Sequence, residues 1–279
     1  MKTIDLHVHS CYSDGTMSPS ELVKLAIKQG LSAIALTDHD TTAGIEQAVI
    51  SGEKEGLEVI PGVELSTRYR KKEIHILGYF IDYKNNELNE VLVRIAKERD
   101  NRNRKMCESL TAGGFPISYE ELCENFGNAI ITRAHFAKLL VKKGVVQSMD
   151  EAFRGCLNNN SPYYIMRHYP TPEEAIGLIL AAGGIPVLAH PLLYKMSVSE
   201  LHTLLHELKE YGLRGIETVY SCNQGTDEAF VRKLAKEYEL IMTGGSDFHG
   251  ENKPHIALGK GKGSLFIPYE LLEGLKRNR

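Results

Sequence analysis

His7 and His9, separated only by Val8, close an apolar run near the N-terminus of this 279-residue chain. Residues i and i+2 of a strand share a face, so these two imidazoles can chelate one cation. Asp14 follows in a Ser-Asp-Gly turn. A lone His-x-His pair is more often a satisfied polar pair than a metal site, but here the pattern recurs. Apolar runs lead into Thr37-Asp38-His39-Asp40, Glu64, Ala189-His190-Pro191 and Gly245-Ser246-Asp247-Phe248-His249, and another carries His75. The nine candidates are His7, His9, Asp14, His39, Glu64, His75, His190, Asp247 and His249. Individually each reads as a cap; nine at equivalent places read as one cluster. Mixed imidazole and carboxylate donors suit manganese, zinc or iron better than calcium or magnesium alone. Nine donors exceed the needs of one ion, so at least a binuclear centre is expected. Clustered ions lower the pKa of bound water and clamp the oxygens of an in-line displacement, which points to hydrolysis of phosphate esters by a metal-activated hydroxide.

The elements that would position these residues alternate. Strands are expected at 3–8, 33–37, 57–63, 74–81, 185–189, 214–219 and 240–244, with helices at 19–29, 44–55, 173–182, 198–211 and 226–238. Short apolar strands alternating with helices predict a parallel sheet covered outside. Seven such units predict an α/β fold of the barrel type, with the strands' C-terminal ends converging on one mouth. Residues 88–110, 118–126, 134–143 and 148–156 give helix signals alone and read as a helical insertion. The Gly-Gly pairs at 183–184 and 244–245 read as tight turns. No dinucleotide fingerprint, phosphate loop or Gly-x-Ser-x-Gly elbow occurs.

Composition narrows the class further. A formal net charge of -3 gives no global basic field toward nucleic acid or membranes. No apolar run reaches the roughly 20 residues of a membrane helix, and the N-terminus does not read as a signal peptide. The five cysteines form no Cys-x-x-Cys pair and read as reduced thiols, so a cytoplasmic protein is expected. Cys11, beside the cluster, reads as a small filler rather than a nucleophile.

These segments resemble the PHP (polymerase and histidinol phosphatase) family of metal-dependent phosphoesterases. The resemblance lies in DLHVHSCYSDG at 5–15, LTDHDT at 36–41, PGVELS at 61–66, the His75 strand, LAHP at 188–191 and GSDFH at 245–249. It implies a distorted (β/α)7 barrel at 1–84 and 171–279, with a mainly helical lid at 85–170, and two to three divalent ions (Mn, Zn or Fe). His7, His9, Glu64 and Asp247 would hold the first ion. Glu64 would bridge to a second, completed by His75 and His190, and Asp14, His39 and His249 would hold a third. Asp5 and Asp38 would orient imidazoles. The insertion resembles that of phosphatases releasing the 3′-phosphate of nucleoside 3′,5′-bisphosphates; related members are exonucleases on short oligonucleotides or RNA, or cyclic sugar-phosphate phosphodiesterases. A non-enzymatic metal-binding regulatory domain is the remaining alternative, although such relatives tend to lose ligands and all nine positions are filled here. ITRAHFAKLLVKKG at 131–144 resembles a segment usually read with proline where Ala134 stands. Arg133 and His135 then become phosphate-gripping residues, with Arg167, His168, Glu217 and Tyr220 as further substrate contacts. The basic run from Arg94 to Lys105 reads as a solvated helix face from which one or two members turn toward the mouth.

Overall fold

The computed structural model describes residues 2–127, 129–166 and 169–279. Seven strands form one sheet in sequence order: β1 (Thr3–Val8), β2 (Leu31–Leu36), β3 (Glu58–Tyr69), β4 (Lys72–Tyr79), β5 (Ile185–Leu188), β6 (Gly215–Tyr220) and β7 (Ile241–Gly245). A parallel bridge between Val8 and Phe248, just past β7, brings the last strand back to the first. The fold is therefore α/β, with a nearly closed seven-stranded barrel.

The expectation of an all-parallel sheet is corrected at β4, which runs antiparallel to both β3 and β5. β3 does not stop near residue 63. Its first half pairs in parallel with β2, and its second half continues to Tyr69 as one arm of a hairpin. Arg70 and Lys71 form the two-residue turn, with Arg70 at φ 54. An apolar run such as Ile74–Tyr79 reads alike in both directions, and only the short turn fixes its sense.

Helices α1 (Pro19–Lys28) and α2 (Ile45–Glu55) cover β1 to β3. Ser18 and Glu21 form a reciprocal capping box at the start of α1, and Pro19 presets its first turn. Leu22, Val23 and Ala26 are buried from that helix and share a core with Ile34, Leu36 and Val8. Ile4 and Leu6 instead pack with Ala33, Leu77, Tyr79 and Val187. Between Asp5 and Val8 the register of β1 against β2 slips. That slip switches which face of β1 meets the outer helices, and His7 lies within it.

Between β4 and β5 the chain forms α3 (Asn86–Ala112), α4 (Tyr119–Phe126), α5 (Arg133–Lys142), α6 (Met149–Arg154) and α7 (Pro172–Ala181). Met106, Leu110, Leu122, Phe136 and Leu140 belong to a core drawn wholly from residues 106–157. α8 (Val198–Glu210) and α9 (Asp227–Glu237) return to the barrel wall. An unexpected α10 (Glu270–Arg277) buries Leu272 and Leu275 beneath Ile4 and Leu6.

Gly183 does lie in a turn, with φ 71. Gly244 and Gly245 do not: they end β7. A Cβ on Gly245 would fall 2.1 Å from Cβ of His7, so β7 can approach β1 only with glycine there.

Candidate metal centre

Most donors arrive from strand ends, while Glu64 lies within β3 and Asp14 in the loop after β1. His7 and His9 come from β1, His39 from the segment after β2, His190 from the segment after β5, and Asp247 and His249 from the segment after β7. β4 explains the placing of His75. Because that strand is antiparallel, its N-terminal half meets the mouth formed by its neighbours' C-terminal ends, and His75 is its fourth residue.

Glu64 is the hub. Its Oε2 lies 3.2 Å from His7 Nε2, 3.2 Å from His9 Nε2 and 3.1 Å from His39 Nδ1. Its Oε1 lies 2.8 Å from His75 Nδ1 and 3.0 Å from His190 Nε2. Five imidazoles thus surround one buried carboxylate. Burial opposes its charge, but His39, His7 and His75 hold the Glu64 carboxyl well below the ordinary range. Asp247 Oδ1 is 3.3 Å from His9 Nε2 and 3.4 Å from His249 Nδ1. His249 Nε2 is 3.2 Å from Asp14 Oδ1.

The donor atoms fall into four overlapping groups, each within 4.8 Å: His9, Asp14, His39 and His249; His7, His9 and Asp247; His7, Glu64 and His190; His39, Glu64 and His75. The nine ligand candidates are therefore brought together. The second set that the resemblance implies is divided, with His190 grouped beside His7 and His75 beside His39. Buried ligand atoms also make no hydrogen bond among the described residues, only close contacts with one another: His7 Nε2, both ring nitrogens of His9, Asp14 Oδ1, His39 Nδ1 and Glu64 Oε2. Orphaned buried donors converging from several strands fit divalent cations, since such groups otherwise carry a desolvation cost.

Behind the donors, Asp5 and Asp38 do not orient imidazoles. Asp5 accepts from the Ser246 hydroxyl and from the N–H groups of Ser246 and Gly259. Asp38 accepts from Ser10 and Ser13. They brace the loops that carry the ligands. Glu217 does the expected job instead. Its Oε1 meets His7 Nδ1 at 3.0 Å and its Oε2 accepts the His190 N–H at 2.8 Å. Both oxygens are committed and the side chain is fully buried, so its reading as a substrate contact is corrected. Tyr220 is also turned inward, donating to Asp247 Oδ2 at 2.8 Å.

Sequence reasoning missed Lys253, whose ammonium lies 2.7 Å from the same Asp247 oxygen. Nothing in its spacing marks it; the loop after β7 folds it back. Asp40, His190 and Asp247 have positive φ values of 52, 25 and 57. Non-glycine residues rarely adopt that region, and these three follow closely on the strand ends that carry the cluster.

Arg133 opens α5 at the rim. Its guanidinium bonds Asn159, lies 3.8 Å from Glu73 and packs over the Tyr164 ring. Glu73 Oε1 is in turn 3.5 Å from His75 Nε2, which places Arg133 on the His75 side. His135 sits two residues on, buried, within electrostatic reach of Asp14. Arg167 and His168 lie outside the described residues. From the basic run, Arg99 and Arg102 are buried and Arg99 pairs with Asp40; Arg94, Lys97, Arg104 and Lys105 are exposed. Cys11 is exposed rather than a packed filler, and partial desolvation of its sulfur with the nearby Asp38 charge raises its pKa, against thiolate chemistry.

Comparison with known proteins gives one consistent picture. The PHP domain family matches residues 5–179. A 5′-3′ exoribonuclease of Haemophilus influenzae is 36% identical, covering 89% of this chain and 90% of its own length. A 3′,5′-nucleoside bisphosphate phosphatase of Chromobacterium violaceum is 34% identical over 89% of this chain and 88% of that protein. The crystal structure of a Bifidobacterium adolescentis protein assigned to the metal-dependent phosphoesterases superposes with a TM-score of 0.87 at 30% identity, covering 98% of this chain and 95% of that one.

Proposed function

The chain belongs to the PHP family of metal-dependent phosphoesterases, and from that premise we propose that it removes the 3′-phosphate of nucleoside 3′,5′-bisphosphates. The observation that carries this reading is the cluster around Glu64, with five imidazoles on one carboxylate and orphaned donors on every side. His7, His9 and Asp247, with Glu64, would hold one ion. His75 and His190 fall in separate groups but both meet Glu64 Oε1, and through that oxygen they would hold a second; Asp14, His39 and His249 would hold a third, and manganese, zinc and iron all suit such donors. Bound ions supply charge against the phosphoryl oxygens and a nucleophile from water.

The protein's own part is orientation and charge. Glu217 keeps the His7 ring turned with Nε2 toward the cluster, and Tyr220 and Lys253 hold the Asp247 carboxylate. Arg133, at the rim beside the His75 side, would grip a non-bridging phosphate oxygen, for which a guanidinium fork is suited. We take residues 85–170 as a lid domain that narrows the mouth around a small phosphorylated substrate.

A second reading, exonucleolytic attack on a short oligonucleotide or RNA 5′ end, is favoured by the 36% identity to the exoribonuclease relative, against 34% to the bisphosphate phosphatase. Phosphate release from adenosine 3′,5′-bisphosphate, nucleotide release from a 5′-phosphorylated RNA oligomer, and opening of a cyclic sugar phosphate, each measured with manganese, separate the readings. Phosphate release from the bisphosphate at the highest kcat/KM is expected. Preference for the oligomer by a wide margin transfers the assignment to the exonuclease.

A further inference from the structure

A cavity of about 400 Å³ borders the cluster on the Asp14 side, between the 11–16 loop, the loop after β7, and helices α4 and α5. That volume lies in the range of ligand pockets, roughly 300–1,000 Å³. Asp14, a member of the cluster, adjoins the lining residue Gly15 and is held by the cavity wall. Asn252, in the cavity wall, donates to the Asp14 carbonyl at 2.7 Å, and the Thr132 hydroxyl donates to Asp14 Oδ2 at 3.4 Å.

His135 shows what the cavity offers. Its ring is buried, and Nδ1 accepts the Thr132 backbone N–H at 2.9 Å, closing a capping box on α5. Burial, opposed by Asp14 and aided by Lys138 and Arg99, pulls its pKa down to about 4. A neutral imidazole whose Nδ1 accepts carries its proton on Nε2. No described residue accepts from Nε2, and the ring lines the cavity. Lys138, half-buried and without an ion-pair partner among the described residues, and Lys142, one turn further along the same face, add two ammonium groups. The Phe126 ring lies 4.5 Å from the His135 ring and supplies an apolar wall. Glu251 is the one carboxylate in the lining.

Two ammonium groups, a neutral N–H donor and an aromatic wall together suit a ligand that joins an anion to a flat ring. We propose that this cavity seats the half of a nucleotide substrate that is not hydrolysed, with its remote phosphate on Lys138, Lys142 and His135 Nε2–H and its base along Phe126. The inference rests on the phosphatase reading above and adds the direction in which substrate lies: scissile phosphate at the cluster under Arg133, remote phosphate past Asp14.

The test uses the full chain and a Lys138→Ala/Lys142→Ala variant. Calorimetric binding of a nucleoside 5′-monophosphate to metal-free protein is measured first. Loss of two charge-assisted contacts should weaken binding by about tenfold or more. The manganese-loaded enzymes are then compared on a nucleoside bisphosphate and on p-nitrophenyl phosphate, which has no second anion. The ratio of kcat/KM values, bisphosphate over p-nitrophenyl phosphate, should fall by about tenfold through KM. Unchanged monophosphate binding and an unchanged ratio in a variant with native circular dichroism overturn the pocket assignment while the phosphatase reading stands. If the wild-type enzyme releases phosphate from neither ester, the phosphatase reading fails, and the calorimetric result still decides the pocket.

Discussion

Glu217 Oε1 lies 3.0 Å from His7 Nδ1, and the other Glu217 oxygen accepts the backbone N–H of His190 at 2.8 Å. One carboxylate behind the cluster therefore fixes the ring of one ligand and the backbone of another. It turns His7 Nε2 toward Glu64 and Asp247, with all three side chains nearly or wholly buried.

From this pairing, Glu217→Gln should keep the fold but lose the negative charge behind the His7 ring. Outer carboxylates of this kind are typically worth 10–100-fold in metal affinity. Manganese or zinc titration of metal-free protein should show a Kd raised by about tenfold or more. An unchanged Kd would mean that Glu217 merely fills space.

The metal-free cluster stores protons. Burial works against a charge on His9, but Asp247 and Glu64 raise its pKa to about 9. Burial likewise opposes His75, yet Glu64 and Glu73 push it up to about 10. Both rings are thus protonated at neutral pH, and ligation requires them neutral. Metal binding at pH 7.5 should release protons, seen as a calorimetric enthalpy that varies with buffer ionisation heat. Affinity should rise with pH toward 9–10. The stability linkage has the opposite sign. With folded values above the unfolded value of about 6.5, the imidazolium–carboxylate attraction is fully present below that pH, and is lost as pH climbs through 9 to 10. The metal-free Tm should therefore fall over the range in which metal affinity rises. A buffer-independent enthalpy would contradict this.

How much of this was legible before folding depends on the residue. The candidate ligands could be read because most of them lie at the end of an apolar run, and His7, Glu64, His190 and Asp247 do meet. The direction of β4 could not, because Ile74–Tyr79 is apolar apart from His75 and its pattern carries no sense of its own. Its reversal explains why His75 sits near the start of its strand while His190 follows the end of its own. The roles of Asp5 and Glu217 were exchanged for a similar reason. Both are acids in strands, and the register slip between Asp5 and Val8 and another in β6 between Glu217 and Val219 decide which way they point. Lys253 was invisible because its meeting with Asp247 depends on a loop. The last helix was overlooked because Leu272 and Leu275 give only one turn of apolar spacing.

Asp247 touches the cluster through Oδ1 and is held through Oδ2 by Tyr220 and Lys253. Asp247→Ala should cut phosphate release by about a thousandfold or more, which corresponds to several kcal/mol of lost transition-state stabilisation. Circular dichroism should remain native, because the barrel core lies elsewhere. Retained turnover in a folded, metal-free variant would contradict metal-dependent chemistry.

Gly245 is a packing requirement rather than a hinge. Its absent Cβ would stand 2.1 Å from His7 Cβ and 2.6 Å from the His7 nitrogen. Backbone, not a flexible side-chain tip, is in the way, so Gly245→Ala must push β7 from β1. Overpacking of this type costs about 1–3 kcal/mol or more, and the shift falls on a ligand. Lower Tm and weaker metal binding should appear together. A fall in Tm with unchanged metal affinity would show that His7 can follow the strand.

Arg99 and Asp40 tie the long α3 helix to the barrel mouth. Both side chains are almost wholly buried, and Asp40 also accepts the Ser66 N–H at 2.8 Å. Asp40 follows the candidate ligand His39 directly and has a left-handed backbone with φ 52. Removing the guanidinium takes a buried cation from beside Asp40, and breaking a buried ion pair typically costs about 3–5 kcal/mol. For a domain of this size that is a fall in Tm of roughly 10 °C. Arg94→Ala, an exposed change on the same helix, should stay within about 0.5 kcal/mol. If Arg99→Ala also weakens metal binding, the ion pair positions His39 as well as holding the helix. If stability falls and metal affinity does not, α3 is fastened to the mouth without steering its ligands. Equal stability of the two variants would show that the buried member of the basic run contributes no more than its solvated neighbour.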